Sequence, residues 1–330
     1  MPRKKFSQIL TIVILGLVLL SGCSTDTSKE NKHNDKDQFT IGINQLTQHP
    51  ALDDIRKGFE DGLEELGLNI DINYQNAQGD IPTSTTIAQK FAEDKVDLIF
   101  AIATPAAQST KQASNNIPIL FSGVTDPVNA KLVDSIDTPE GNITGTSDES
   151  PMNRQLQLFK DIDDNIEKVG IIFNTDEQNS QVQVDKAKEL GSEIGLEIVP
   201  MGISNINDIP QVVDSIAQKV DGIYTITDNM VASAINIVSE KAINHNLITV
   251  GAEESHVDGG ILITDGISYY SLGKQTAEMA NKILIDGKSP SDISIETAKN
   301  TRKVFNEETL KAIKLKEDIQ VFQDATKISK

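Results

Sequence analysis

From Phe39 onward the chain alternates short apolar stretches with longer amphipathic ones, and it does so in two successive series. In the first, residues 39–44 predict a strand, 50–66 a helix entered through a proline and left at Gly67, 69–74 a strand, 83–94 a helix, 96–101 a strand, 105–115 a helix and 118–121 a strand. The second predicts strands at 168–173, 196–201, 221–225 and 247–250, with helices at 178–194, 207–219 and 229–244. Parallel strands need crossovers, and right-handed crossovers place helices on both sheet faces, so each series predicts a doubly wound parallel sheet. The two series also echo each other: Val96-Asp-Leu-Ile-Phe100 recurs as Val220-Asp-Gly-Ile-Tyr224, each after a helix and before a Thr-containing turn. The expectation is an α/β protein of two lobes joined by a hinge, with a ligand cleft between the carboxyl ends of their strands.

The remainder, 252–330, holds one further strand at 260–264, a helix at 271–286 and a short terminal βα piece, too little for a third domain. We therefore expect 39–148 plus 252–288 to form the N-terminal lobe and 149–251 plus 289–330 the C-terminal lobe. The chain would then cross the hinge near 147–150, 250–252 and 287–291.

Ahead of the lobes, Arg3, Lys4 and Lys5 precede an apolar run from Ile9 to Leu20, which closes on Leu20-Ser-Gly-Cys23. Twelve residues make a helix of about 18 Å, too short for a ~30 Å hydrocarbon core, so residues 1–22 read as a cleavable lipoprotein signal peptide. Cys23, the single cysteine, then resembles the residue that bacterial lipoproteins modify with a diacylglyceryl thioether. Residues 23–38 would be a lipidated polar tether holding the protein on the extracytoplasmic face of a cell membrane. With that thiol used, no disulfide remains and the lobes must be held by their own cores.

Losing the leader's three basic residues takes the formal charge from −19 to −22, which argues against nucleic acid or an anionic lipid surface as partner. Trp is absent and aromatic residues are scarce, which disfavours a carbohydrate groove lined by many rings. His33, His49, His245 and His256 are far apart in sequence and none has a second His or Cys at metal-ligand spacing. Phosphate-loop, serine-hydrolase and dinucleotide motifs are missing. The reading is a protein without cofactor or metal, and not an enzyme.

In this architecture the loops after the strands carry the ligand, because a following helix presents unpaired N–H groups and a partial positive charge. Four such loops stand out. Thr104 precedes Pro105 and either caps its own helix, contacts a carboxylate, or does both. Thr125 and Asp126 follow the fourth strand, with Asp126 equally suited to shaping the turn before Pro127. Asn179 and Ser180 follow the first strand of the second series. Asp228 stands at a helix start, where it either caps or, facing the cleft, pairs with an ammonium group. A carboxylate site on one lobe and an ammonium site on the other would let an α-amino acid bridge and close the cleft. Gln45 opens a further loop that includes His49, held extended by Pro50 and able to aim its ring at the cleft.

The lipobox, Gln45-Leu-Thr-Gln-His-Pro-Ala-Leu-Asp53, Ala103-Thr-Pro-Ala-Ala-Gln108, Thr125-Asp-Pro-Val128, Thr227-Asp-Asn229 and Gly251-Ala-Glu-Glu-Ser255, in this order, resemble the ABC transporter substrate-binding protein family that includes tryptophan/tyrosine-binding lipoproteins. The resemblance spans 39 to about 315. It implies a type I periplasmic-binding-protein fold, a monomer that captures a small solute between two lobes, and delivery to an ABC permease powered by a separate ATP-binding subunit. It further implies Thr104 and Thr125 on the ligand carboxylate and Asp228 on its ammonium, with Gln45, Asn179 and Ser180 as lesser contacts and Tyr224 as the nearest ring for an aromatic side chain. The competing readings are a nucleoside or sugar receptor of the same fold, which would favour stacked aromatics, and a surface-anchored sensor ectodomain.

Overall fold

The computed structural model describes residues 38–329. The first sheet is built from β1 (Phe39–Gln45), β2 (Ile70–Asn76), β3 (Leu98–Ile102), β4 (Ile119–Val124) and β5 (Ile143–Ser147), linked by α1 (Pro50–Glu65), α2 (Ile81–Asp94) and α3 (Thr104–Ala113). All its strand pairs are parallel, in the order β2-β1-β3-β4-β5, and β11 (Glu296–Thr297) later joins beside β5. The apolar runs account for this. Ile99, Phe100, Ala101, Ile102 and Ile119 to Val124 are buried throughout, as central strands covered on both faces must be. Phe59 of α1 stacks on Phe100 with ring centroids 4.0 Å apart, and both are fully buried. Truncating either to Ala would cost about 3–5 kcal/mol.

The second lobe repeats the plan. It comprises α4 (Met152–Ile162), β6 (Lys168–Asn174), α5 (Gln178–Glu193), β7 (Glu197–Ile203), α6 (Ile209–Ile216), β8 (Gly222–Thr225), α7 (Asn229–Ser233), α8 (Ile235–Asn244), β9 (Ile248–Glu253), α9 (Glu254–Asp258) and β10 (Ile263–Ile267). The order β7-β6-β8-β9-β10 matches that of the first sheet, and Pro200 lies on β7, the edge strand, where a missing N–H is tolerated. After α10 (Tyr269–Leu284) and β11, the chain returns as β12 (Thr301–Asn306), antiparallel to β10, then α11 (Glu307–Ala312), α12 (Gln320–Gln323) and β13 (Thr326–Ile328).

Three expectations change. The strand after residue 260 belongs to the second sheet, where β10 pairs with β9, so 252–267 lies with the C-terminal lobe and not the N-terminal one. The chain crosses between lobes near 147–152, 267–269 and 297–301, and only the first crossing falls where the sequence placed it. The cause is local: α9 is a five-residue turn of helix, too short to carry the chain away, and Leu262 N donates 2.8 Å to Thr249 Oγ1 beside the preceding strand. Second, β5, α4 and α9 were not foreseen. Third, the helix expected over 229–244 is divided at Ala234, whose ψ of 21° leaves the helical range.

Helix α10 packs with the first lobe, against α1 at very close range. A Cβ on Gly58 would stand 2.0 Å from the Tyr270 carbonyl oxygen, and one on Gly273 2.1 Å from that of Ile55. The two backbones touch because neither glycine has a side chain to hold them apart.

Candidate functional site

Both sheets reverse their strand order at the same place, between β1 and β3 in the first lobe and between β6 and β8 in the second. Ligands of open α/β sheets bind outside the carboxyl ends of strands at such switch points. The loops there start at Leu46 and Ala103 on one side and at Thr175 and Ile226 on the other. Hydrogen bonds draw them together across the cleft: His49 Nε2 lies 3.3 Å from Asn229 Oδ1, Thr125 Oγ1 3.1 Å from Thr227 Oγ1, and Gln178 Nε2 donates 2.6 Å to the Asn129 carbonyl.

A narrow pocket of about 10 Å³ lies where the lobes meet. His49, Leu52, Gly123, Asp148 and Tyr269 line it from the first lobe and its crossings; Asn179, Asp228, Asn229, Ala232 and Glu253 line it from the second. No Lys or Arg is among the lining residues. It opens beside a wider cleft of about 550 Å³ that shares Asn229 and runs between Leu46, Ile81, Pro82 and Pro105 on one lip and Glu177, Ile206 and Met230 on the other.

The acids are buried and their environments differ. Glu253 lies 3.0 Å from His256, both 1–2% exposed. Burial pushes the Glu253 carboxyl up, but His256, His49 and the Ser255 hydroxyl outweigh it and hold it down at about 2. Asp148 accepts 2.7 Å from the Tyr269 hydroxyl. Burial, with the Glu253 charge, raises it to about 6 despite the hydroxyls of Tyr269 and Thr125. Burial and the neighbouring Asp228 raise Glu177 to about 7, although it accepts from Asn174 and Asn229. Asp228 is likewise shifted upward by burial, against hydrogen bonds from Asn174, Val231 and Ser180. Burial is also the largest influence on His49 and lowers it, keeping the ring neutral.

The structure gathers some of the expected contacts here and moves others elsewhere. Asp228 and Asn179 line the pocket, and Ser180 stands behind Asp228, donating 2.7 Å to its Oδ2. Asp228 also caps α7 by accepting from Val231 N at 2.8 Å, so the capping role that its sequence position offers is present. Thr125 sits at the lobe interface. Thr104 is the first helical residue of α3 and not its cap; Ala103 takes the cap position with φ 84°, and the buried Thr104 hydroxyl has no hydrogen-bond partner. Asp126 does not line the pocket: it accepts from Val128 N and Asn129 N and shapes the turn. Gln45 is buried and its Nε2 donates to Thr47 O and Asp53 Oδ1, each at 2.8 Å, which engages its amino group within the loop and leaves its Oε1 without a hydrogen-bond partner. Tyr224 is core, fully buried with its hydroxyl donating 2.6 Å to Gln155. His49 keeps the extended backbone that Pro50 imposes (φ −156°, ψ 163°) and faces the pocket. Asp148, Glu177, Glu253 and Tyr269 were not foreseen as site residues. Glu177 and Glu253 each end or follow a strand ahead of a helix, which was the available signal. Asp148 and Tyr269 lie at chain crossings that carry no periodic pattern. Cys23 falls outside the described residues. Among the described residues no helix is long and apolar enough to cross a membrane, and no group of three His, Cys, Asp or Glu could hold a metal ion.

Residues 40–328 match the family described as ABC transporter substrate binding protein. A tyrosine-binding protein of Clostridioides difficile is 42% identical over 319 residues, 94% of this chain and 92% of the relative. Among solved structures, a conserved domain protein from Vibrio cholerae superposes with a TM-score of 0.85 at 34% identity, covering 88% of this chain and 99% of that one. An ABC domain from Streptococcus pneumoniae in complex with L-Trp gives 0.84 at 29% identity with the same coverage. A ligand-free, open substrate binding protein with adhesive properties from Clostridium difficile gives only 0.68 at 43% identity, again with the same coverage. The less similar sequence superposes better.

Proposed function

Because the chain belongs to the ABC transporter substrate-binding protein family, whose members bind and do not catalyse, we propose that its interlobe cleft captures an aromatic α-amino acid, tyrosine or tryptophan, with the amino group at the narrow pocket and the side chain toward the wider cleft beside it, and presents it to a membrane permease driven by an ATP-binding subunit. The observation that carries this reading is the charge of the pocket: three acids, Asp148, Asp228 and Glu253, line it and neither Lys nor Arg does. Such a site favours a ligand bearing an ammonium group. The ligand carboxylate would then lie toward the start of α3, where the buried hydroxyl of Thr104 is unpartnered and the helix dipole is positive, with Thr125 alongside. Leu46, Ile81, Pro82, Pro105 and Met230 of the wider cleft offer apolar surface to an aromatic side chain. The binding of tyrosine by one relative and of L-Trp by another supports this ligand class. The protein would work outside the cytoplasm, anchored through lipid on Cys23.

A thermal-unfolding screen of the purified protein against the twenty amino acids, nucleosides and common sugars tests the ligand class. A ligand at a thousand times its dissociation constant stabilises the folded form by about 4 kcal/mol. A shift confined to tyrosine, tryptophan or phenylalanine is expected. A shift with sugars or nucleosides alone would replace the reading with a receptor for those solutes.

A further inference from the structure

Three buried polar atoms in the pocket lack a hydrogen-bond partner: Asp148 Oδ1, Asn179 Oδ1 and His49 Nδ1. The three residues are 3%, 5% and 7% exposed, so an unmet hydrogen bond on each is costly. Surrounding contacts decide what each atom offers. Asn179 gives its amino group to the Thr227 carbonyl at 3.0 Å and toward Glu177 Oε2 at 3.5 Å. Turning the amide over would set oxygen against oxygen, so its carbonyl oxygen is the free end. Asn229 gives its amino group to Glu177 Oε2, which leaves its oxygen to accept from His49. His49 Nε2 therefore carries the hydrogen, and in the neutral ring Nδ1 holds a lone pair. Asp148 has one oxygen engaged by Tyr269, and its other oxygen makes no hydrogen bond of good geometry, although Thr125 lies near enough to favour the charged form.

All three free atoms are thus acceptors. A primary ammonium has three N–H donors and no acceptor. Resting on the amino-acid reading above, we infer that Asp148, Asn179 and His49 together hold the ligand ammonium, with Asp148 as its counter-ion, and that Asp228 is a positioning residue. Asp228 is the acid a strand-end motif would nominate, but its oxygens are taken: Oδ1 accepts from Val231 N at 2.8 Å, and Oδ2 from Asn174 N at 2.6 Å and Ser180 Oγ at 2.7 Å. It fixes the start of α7 and, through it, Asn229. His49 comes from the first lobe, Asp148 from the chain crossing after β5, and Asn179 from α5 of the second lobe. The ammonium therefore ties both lobes and a hinge segment to one atom, so that binding and closure are one event.

The test compares L-tyrosine with 3-(4-hydroxyphenyl)propionate, which lacks only the amino group, on the wild type and three variants by calorimetric titration. Asp148→Asn keeps an acceptor for Tyr269 and should weaken tyrosine by about thirtyfold or more while leaving the desamino compound within threefold. Asn179→Ala should show the same selectivity at about tenfold, which keeps the inference testable should the Asp148 variant fold poorly. Asp228→Asn should lower the unfolding midpoint and weaken both compounds alike. Equal losses for both compounds in Asp148→Asn, or a loss selective for tyrosine in Asp228→Asn and not in Asp148→Asn, would overturn the assignment. A wild type that binds another α-amino acid with the same Asp148 dependence would sink only the aromatic ligand and uphold the ammonium site. Binding of neutral solutes alone would overturn both.

Discussion

His49 and Asn229 meet across the cleft, ring Nε2 to side-chain oxygen at 3.3 Å, and Asn229 is in turn fixed by Glu177. A carboxylate of the second lobe thus dictates, through an amide, where the proton sits on a ring of the first. The consequence is a lone pair on Nδ1 directed at the pocket. That relay depends on closure, because its two halves belong to different lobes.

The tautomer is observable. Nitrogen NMR of the imidazole should show His49 neutral near pH 7, protonated at Nε2 and bare at Nδ1. Asn229→Ala should release that preference. A ring protonated at Nδ1 in the closed wild type would break the relay.

Ligand affinity should depend on pH through Asp148. Burial, reinforced by Glu253 and opposed by Tyr269 and Thr125, lifts this carboxyl to about 6, while the ammonium of the ligand stays charged across the range of interest. Only the ionised carboxylate attracts it. Affinity for tyrosine should therefore be level above about pH 7 and fall by about tenfold per unit well below pH 6, one proton being taken up for each ligand released. Titrations between pH 8 and pH 5 measure this, and a flat profile would exclude Asp148 as the counter-ion.

The contact between α1 and α10 fixes the first lobe. With the Ile55 carbonyl only 2.1 Å from where a Cβ would stand, Gly273→Ala should force the helices apart and cost about 1–3 kcal/mol. Denaturant unfolding reads the loss. An unchanged midpoint would mean that the two helices are free to slide.

Cys23 should carry the lipid. Cys23→Ser is expected to abolish labelling by a radioactive fatty acid and to move the protein from the membrane fraction to the soluble one. Retention of label in the variant would place the attachment elsewhere.

The alternation of strands and helices made both sheets legible, because buried parallel strands such as Leu98–Ile102 read as uninterrupted apolar runs. β5 escaped notice because Ile143-Thr-Gly-Thr-Ser147 is nearly all small and polar: its glycine lies against the Phe121 backbone, and its threonines bond inward to Ser122, Thr276 and the Ile293 carbonyl. α4 has a plain helical stripe, Met152, Leu156, Phe159 and Ile162, but it lies between the expected crossing near 147–150 and the start of the second series at 168, a stretch given no element. The lobe assignment of 252–267 failed because pattern gives a strand its type and not its partner. Of the residues that line the pocket, Asp228 and Asn179 are singled out by their loop positions, whereas Asp148 and Tyr269 are not: only the fold brings a hinge residue and a helix start to one pocket.

The most direct measurement is a calorimetric titration of the wild-type protein with L-tyrosine and L-tryptophan, each beside its desamino counterpart. The account predicts saturable binding of one amino acid per chain and a desamino compound weaker by about a hundredfold or more, the loss expected for an ammonium held by a buried carboxylate and two neutral acceptors. Equal affinity for the two compounds, or no binding of either amino acid, would contradict it.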